Sequence, residues 1–319
     1  MIQLGLANYI MYTLYVCLLG VREMLHSVTG SLYACILQRE IYNDFIVSIR
    51  DNLKSRGIVD RVEYFGSRYK GTAIDSSDYD NLFVKRDQTI MVQPSPSYPN
   101  FVYLTMSYGQ KINKSDRLKM FRAEMQQSLR NVGASSFAQI ANAYGPTVVL
   151  SYRKAQLSFS VDTVYGLEVG GQIYIGKPSP DDMDDDFLWY KDVAKEEKEK
   201  MINIDFDNGI GKMVLRRLKK LKDIEPTLQQ LKSCAFEQAL MYLKDQYTDV
   251  VFWRENNMLE ILKALLLFME AALRNGTLPV YFDRNDDVIR GLTPDKKNQL
   301  ANRFRNLAKN PAIVIQKTN

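Results

Sequence analysis

Phe65-Gly66-Ser67-Arg68-Tyr69-Lys70-Gly71-Thr72-Ala73-Ile74-Asp75-Ser76-Ser77-Asp78-Tyr79-Asp80-Asn81-Leu82-Phe83-Val84 is the stretch on which the fold turns. A strand-like run, Val62–Phe65, ends in Gly66-Ser67, and Asp78-Tyr79-Asp80 then opens a second apolar strand, Asn81–Lys85. Side chains alternate along a strand, so Asp78 and Asp80 fall on one face. Two carboxylates so close repel unless a cation lies between them. A hard divalent ion that also binds substrate phosphates meets that need. Gly66 allows the backbone to approach a phosphate, and Ser67 adds N–H and hydroxyl donors.

A third carboxylate is expected on a neighbouring strand, because two-metal phosphoryl transfer needs a clamp on both the attacking and the leaving oxygen. The run Leu157–Tyr165 supplies it: Ser158, Ser160 and Asp162 point one way, and Phe159, Val161 and Tyr165 the other. Asp162 inside an otherwise apolar segment needs a charged partner. A metal shared with Asp78 and Asp80 provides one. The expected catalytic and metal-binding set is therefore Asp78, Asp80 and Asp162, loaded with Mg²⁺ or with Mn²⁺ in its place.

Composition removes competing chemistries. The chain of 319 residues has a single His and three Cys. His26 would have to serve any His-based triad alone, and Cys17, Cys35 and Cys234 offer no closely spaced pair for zinc. An odd, low Cys count in a long chain also argues against a disulfide framework and for a reducing, cytoplasmic setting. Net charge is +5, from 42 basic and 37 acidic side chains. That balance is compatible with a polyanionic partner without requiring one.

Three regions are expected. Residues 1–37 open with Met1–Val21, a stretch without a charged side chain that is long enough to span a bilayer. Gln3, Asn8 and three Tyr dilute it, and no basic leader precedes it, so it reads as a packed helix ahead of a membrane anchor. Residues 38–176 read as a mixed α/β lobe. Gln38–Arg56 is an amphipathic helix with Ile41, Phe45, Ile49 and Leu53 on one face, widened by Ile46 and closed by Gly57. Further strands are expected at Phe101–Met106 and Thr147–Tyr152, with a helix at Asp116–Asn131. Residues 177–319 read as helical: Lys212–Lys222, Thr227–Tyr247, Asn257–Arg274 and Thr293–Lys309, the last with Thr293 as N-cap and Pro294 at the first helical position. The acidic run Asp181–Asp186 beside Pro178 and Pro180 marks the join.

These motifs together resemble the cGAS/Mab family, the cGAS-like branch of the nucleotidyltransferase superfamily, over roughly residues 38–315. Besides Gly66-Ser67 and Asp78-x-Asp80, Gly145-Pro146-Thr147-Val148 precedes Ser160-Val161-Asp162. Trp189-Tyr190-Lys191-Asp192-Val193-Ala194-Lys195-Glu196-Glu197-Lys198 looks like the family's Trp-Arg-x-Ser-…-Glu-Lys segment and reads as helix-like. Leu278-Pro279-Val280-Tyr281-Phe282 with Asn285 looks like its Leu-x-x-Tyr-Phe-x-x-x-Asn signature, with a shorter gap.

The resemblance implies an α+β, bilobed nucleotidyltransferase fold: a mixed β-sheet catalytic lobe with a long N-terminal spine helix, and a C-terminal helical-bundle lobe. It implies synthesis of a cyclic dinucleotide, of the cyclic GMP-AMP kind, from two NTPs such as ATP and GTP. Ser67 would contact the triphosphate, and Arg216 or Lys219 would neutralise phosphate charge. Two positions depart from the family. Tyr190 stands where an Arg reads a guanine edge, and Cys234, beside Ser233, stands where a Tyr stacks on a base. Both changes weigh against guanine specificity, since Tyr cannot make the two-pronged donor contact. The zinc-binding insertion that vertebrate relatives use to grip DNA is missing between Lys198 and Lys212. The resemblance then favours double-stranded RNA over DNA as activator, in innate immune sensing, with oligomerisation on that ligand open. Basic residues such as Lys54, Arg56, Arg122, Arg216 and Lys220 are available for it. A catalytically inactive scaffold or developmental protein and a linear oligonucleotide synthase are the competing readings.

Overall fold

The computed structural model describes residues 38–65, 79–155, 157–178, 185–204 and 209–318. Residues 1–37, and with them the apolar N-terminal segment, lie outside the described residues, as do Gly66, Ser67 and Asp78. Among the described residues no helix is long and apolar enough to cross a membrane.

The first described element is helix α1, residues 38–55. Tyr42, Phe45, Ile46, Ile49 and Leu53 form its buried stripe, at the three- and four-residue spacing that one helix face requires. It ends at Gly57, whose φ of +71° is the left-handed conformation that glycine adopts without a Cβ penalty. The Gly57 N–H donates to Lys54 O (2.9 Å) and the Ile58 N–H to Leu53 O (3.0 Å), which satisfies two of the last carbonyls.

Strands β1 (Arg61–Phe65), β2 (Tyr79–Arg86), β3 (Met91–Pro94) and β4 (Phe101–Thr105) lead into helix α2 (Lys114–Asn131). Strands β5 (Ala138–Tyr144), β6 (Thr147–Lys154), β7 (Leu157–Val169), β8 (Gln172–Ile175) and β9 (Leu188–Lys191) complete a nine-stranded sheet. Its order is β1-β2-β7-β8-β9-β4-β3, with β6 on β7 and β5 on β6. β2 and β7 run parallel, and the other pairs are antiparallel. Helices α1 and α2 cover one face. Phe83, Val161 and Tyr165 from the sheet meet Ile49 and Leu53 of α1 and Phe121 and Met125 of α2 there. Each such fully buried side chain contributes about 1.5–3 kcal/mol.

The rest is helical: α3 (Ala194–Asn203), α4 (Ile210–Ile224), a 3₁₀ turn (Leu228–Gln230), α5 (Cys234–Gln246), α6 (Met258–Asn275), the hairpin β10 (Pro279–Val280) and β11 (Asp283–Asp287), α7 (Pro294–Lys309) and α8 (Ala312–Thr318). Leu215, Leu218, Phe236, Leu240, Leu265, Met269 and Phe304 form one core. Thr293 caps α7 as the sequence suggests, its hydroxyl accepting from the Lys296 N–H, with Pro294 next. The architecture is therefore the expected α+β one, a mixed sheet followed by a helical bundle.

Three expectations are corrected. The sheet does not end at 176, because β9 returns after the acidic run and pairs with β4 and β8. The run from Trp189 is not helical at its start. Leu188, Trp189 and Tyr190 are residues that favour a packed strand, and helix begins only at Ala194. The expected helix Thr227–Tyr247 is broken, because Leu231 takes an extended backbone (φ −82°, ψ 141°) that turns Leu228 and Leu231 into the core. Strand β3 carries no alternation to read: it is exposed throughout and ends in Pro94, as suits a sheet edge.

Gly166 in β7 allows close packing where the strand crosses its neighbours. A Cβ there would meet Ile173 Cγ2 at 2.8 Å and Leu82 Cδ1 at 3.1 Å. Gly166→Ala is expected to destabilise the chain by about 1–3 kcal/mol through overpacking. Denaturant unfolding checks this, and a neutral or stabilising result would contradict it.

Candidate active site

Parallel pairing of β2 with β7 sets Asp80 directly beside Asp162. Neighbouring strands lie about 4.8 Å apart, and register partners share a face. Both carboxylates are half-buried and stand on the sheet face opposite α1 and α2. On its other side Asp80 pairs with Phe65, the last residue before Gly66. Two of the three expected carboxylates are thus adjacent, and the third, Asp78, falls outside the described residues. Among the described residues no group of three His, Cys, Asp or Glu is arranged to hold a metal. The pair itself fits a hard divalent ion: two carboxylates, all-oxygen donors, and no thiolate or imidazole.

The face changes character along the two strands. After Asp80·Asp162 come Leu82·Val164 and Val84·Gly166, then Arg86·Glu168. Leu82, Val84 and Val164 form a small apolar floor with Ile173 and Ile175. At the far end Arg61 and Arg86 both hydrogen-bond Glu168. The Arg61 guanidinium, more than burial opposes it, holds that carboxyl below its usual range.

The other face fixes the position of Asp80. Its neighbours Tyr79 and Asn81 point into the core and are held by α1. The Tyr42 ring stacks on Tyr79 (centroids 3.8 Å apart), and the Tyr42 hydroxyl donates to Asn81 Oδ1 (2.7 Å). Asn81 is fully buried, and its Nδ2 has no hydrogen-bond partner among the described residues. Leaving such a donor unmatched costs about 1–3 kcal/mol.

Several expected contacts are placed elsewhere. Tyr190 does share the carboxylate face, through the registers Gly166↔Ile175 and Ile175↔Tyr190. It is only 4% exposed, however, packed on Phe101 with the Lys177 ammonium 4.2 Å above its ring. Lys177 in turn bonds Asp286 of the β10–β11 hairpin (2.6 Å), so the helical part covers this ring and leaves no open face for a base. Lys219 is corrected too: it is 2% exposed and paired with Glu237 Oε1 at 2.7 Å, tying α4 to α5 inside the bundle. Arg216 is exposed on α4, Ser233 is half-buried just before α5, and Cys234 is an exposed thiol, in no disulfide, at the first position of α5.

The Tyr281-Phe282 signature is structural. The Tyr281 N–H donates to Gln238 Oε1 (2.7 Å), and its hydroxyl reaches Asp245, which also pairs with Lys200. Hairpin, α3 and α5 are joined there.

Sequence reasoning missed Asp192, which directly follows β9. Burial raises its carboxyl to about 7, and Glu197, Glu196 and Glu63 add to the shift, while a backbone hydrogen bond from Ala194 opposes it. Its signal was a carboxylate directly after Trp-Tyr-Lys. Asn81 also went unused, although a polar side chain among Leu, Phe and Val was visible.

Two outcomes follow for stability. Lys219→Met or Glu237→Gln alone should cost about 3–5 kcal/mol by leaving a buried charge unpaired, whereas Lys219→Met with Glu237→Leu should cost much less. A double-mutant cycle measured in urea distinguishes this from two independent losses. For Asp192, the folded state retains its proton to about pH 7, whereas the unfolded chain releases it near 3.8. Protonation therefore stabilises the fold at low pH, and that contribution declines as pH rises from about 4 to about 7. Asp192→Asn should flatten this decline in a series of melts from pH 4 to 8.

Residues 211–306, from α4 into α7, match the family model described as "Mab-21 protein HhH/H2TH-like domain". The match covers under a third of the chain, all of it in the helical part. With the mixed sheet ahead of that part, it supports a relationship to the Mab-21 and cGAS-like nucleotidyltransferases.

Proposed function

We propose that this chain is a metal-dependent nucleotidyltransferase that joins two NTPs into a cyclic dinucleotide. The single observation that carries this reading is the register pair Asp80↔Asp162 on adjacent parallel strands. Asp80 and Asp162, with Asp78, would hold Mg²⁺. The ion would neutralise triphosphate charge and make a ribose hydroxyl a competent nucleophile towards the α-phosphate, with pyrophosphate leaving.

The chain's own side chains do the remaining work. Tyr79 and Asn81, clamped by Tyr42, keep the Asp80 carboxylate aimed at the open face. The apolar floor of Leu82, Val84 and Val164 excludes water beside the carboxylates and strengthens their pull on a cation. Gly66 and Ser67 are the proposed triphosphate contacts. Arg216, exposed on α4, remains a candidate for phosphate charge, whereas Lys219 is withdrawn from that role by its bond to Glu237. Cys234 remains the nearest counterpart of a base-contacting residue in the helical part.

Double-stranded RNA is the proposed activator, in an innate immune setting. Lys54 of α1 and Arg122 of α2 are exposed, and Arg56, just after α1, pairs with Glu124 of α2, so basic side chains of both helices are available for it. Recognition there would rest on phosphates and weaken steeply with salt.

The packed state of Tyr190 and the buried pairing of Lys219 favour a second reading, a non-catalytic family member in a developmental or scaffold role. The decisive test incubates the chain with each NTP pair and Mg²⁺, with dsRNA, dsDNA or neither, and reads the products by mass. A cyclic dinucleotide that disappears in Asp80→Asn and in Asp162→Asn, by at least a hundredfold, is the expected result. No product under any condition would leave the scaffold reading, and a linear product would point to an oligonucleotide synthase.

A further inference from the structure

The helix-covered side of the sheet contains a cavity of about 290 Å³ that the carboxylate pair does not use. Tyr165 lines it, three residues beyond Asp162 on β7 and on the other face of the strand. Arg117 of α2, Trp189 of β9 and the Gly145-Pro146 turn form further walls, and Lys114 and Asp186 stand at the start of α2.

Tyr165 is 4% exposed, and its ring is fixed against Phe121 at 5.1 Å. Its hydroxyl makes no hydrogen bond to a described residue. The hydroxyl therefore opens on the cavity and is available to a ligand there. Burial pushes this hydroxyl up to about 12, so it is a donor at neutral pH. Arg117 is half-buried and its guanidinium makes no hydrogen bond or ion pair to a described residue, yet its charge acts on the Tyr165 hydroxyl. Two donors, one of them a full cation, therefore open on one small space.

The acidic neighbour is already engaged. Asp186 accepts from the Ser115 hydroxyl (2.6 Å), and its carbonyl accepts from the Lys114 N–H (2.7 Å), so its carboxylate serves the first turn of α2. Asp60 and Asp87 also act on the Tyr165 hydroxyl, but Asp87 is bonded to Thr89, and Asp60 to the Arg86 N–H and to Lys85; Lys114 and Arg117 stand on the cavity wall itself.

We propose that this cavity is a second ligand site, separate from the carboxylate pair, which takes a small phosphate-type oxyanion through Arg117 and the hydroxyl of Tyr165. Guanidinium and hydroxyl donors match phosphate oxygens. The volume admits inorganic phosphate, pyrophosphate or a small phosphate ester. β7 bears Asp162 on one face and Tyr165 on the other, so an anion held here would steady the strand that positions Asp162.

Isothermal titration of the full chain in EDTA tests the site, with inorganic phosphate, pyrophosphate and AMP as separate probes and sodium chloride as the ionic control. EDTA keeps the carboxylate pair free of metal. The expected result is saturable binding of at least one probe, weakened tenfold or more in both Arg117→Met and Tyr165→Phe and retained in Asp80→Asn. Tyr165→Phe keeps the ring packed on Phe121, so that arm reads the hydroxyl and not the fold. The probe that binds tightest identifies the source of the phosphate group. Absence of saturable binding by all three probes would overturn the site. So would unchanged binding in Arg117→Met and Tyr165→Phe, or binding lost in Asp80→Asn.

Discussion

Parallel pairing of β2 and β7 is the constraint from which the rest of the structure follows. Two strands far apart in sequence lie side by side with Asp80 opposite Asp162. A one-residue slip would turn one carboxylate into the core beside Phe83 and Val161, at prohibitive desolvation cost. The register is therefore secured from both faces: Leu82, Val84 and Val164 pack on the carboxylate face, and Phe83 and Tyr165 pack under α2. Glu168, drawing on both Arg61 and Arg86, closes the far end of the same ladder.

The helical part is attached to this sheet by polar contacts more than by a shared core. Lys177 bridges the Tyr190 ring and Asp286, and the two large apolar clusters remain separate. The family match falls wholly on the helical side of that seam, and the carboxylate pair falls on the other.

Much of this was legible in sequence, for physical reasons that differ by residue. The α1 stripe and the alternation around Asp162 were readable because a half-buried element must repeat with its own period. Thr293-Pro294 was readable because the start of a helix has orphan N–H groups to satisfy. What escaped depends on tertiary context. Strand β9 follows an acidic run that looks like a linker, and only its pairing with β4 and β8 makes it a strand. Lys219 looks like any helix-surface cation until Glu237 arrives from 18 residues away to bury it. Tyr190 reads in sequence as a nucleotide contact and lies on the carboxylate side of the sheet, but the hairpin that covers it comes from a segment nearly a hundred residues later.

The unmatched amide of Asn81 has a wider consequence. The strand that carries Asp80 would be sturdier with Val or Leu at that position, since the surroundings are apolar. The chain instead keeps a polar group that α1 grips at one atom and that has no partner at the other among the described residues. That single polar grip ties the alignment of Asp80 to the seating of a helix that lies behind it.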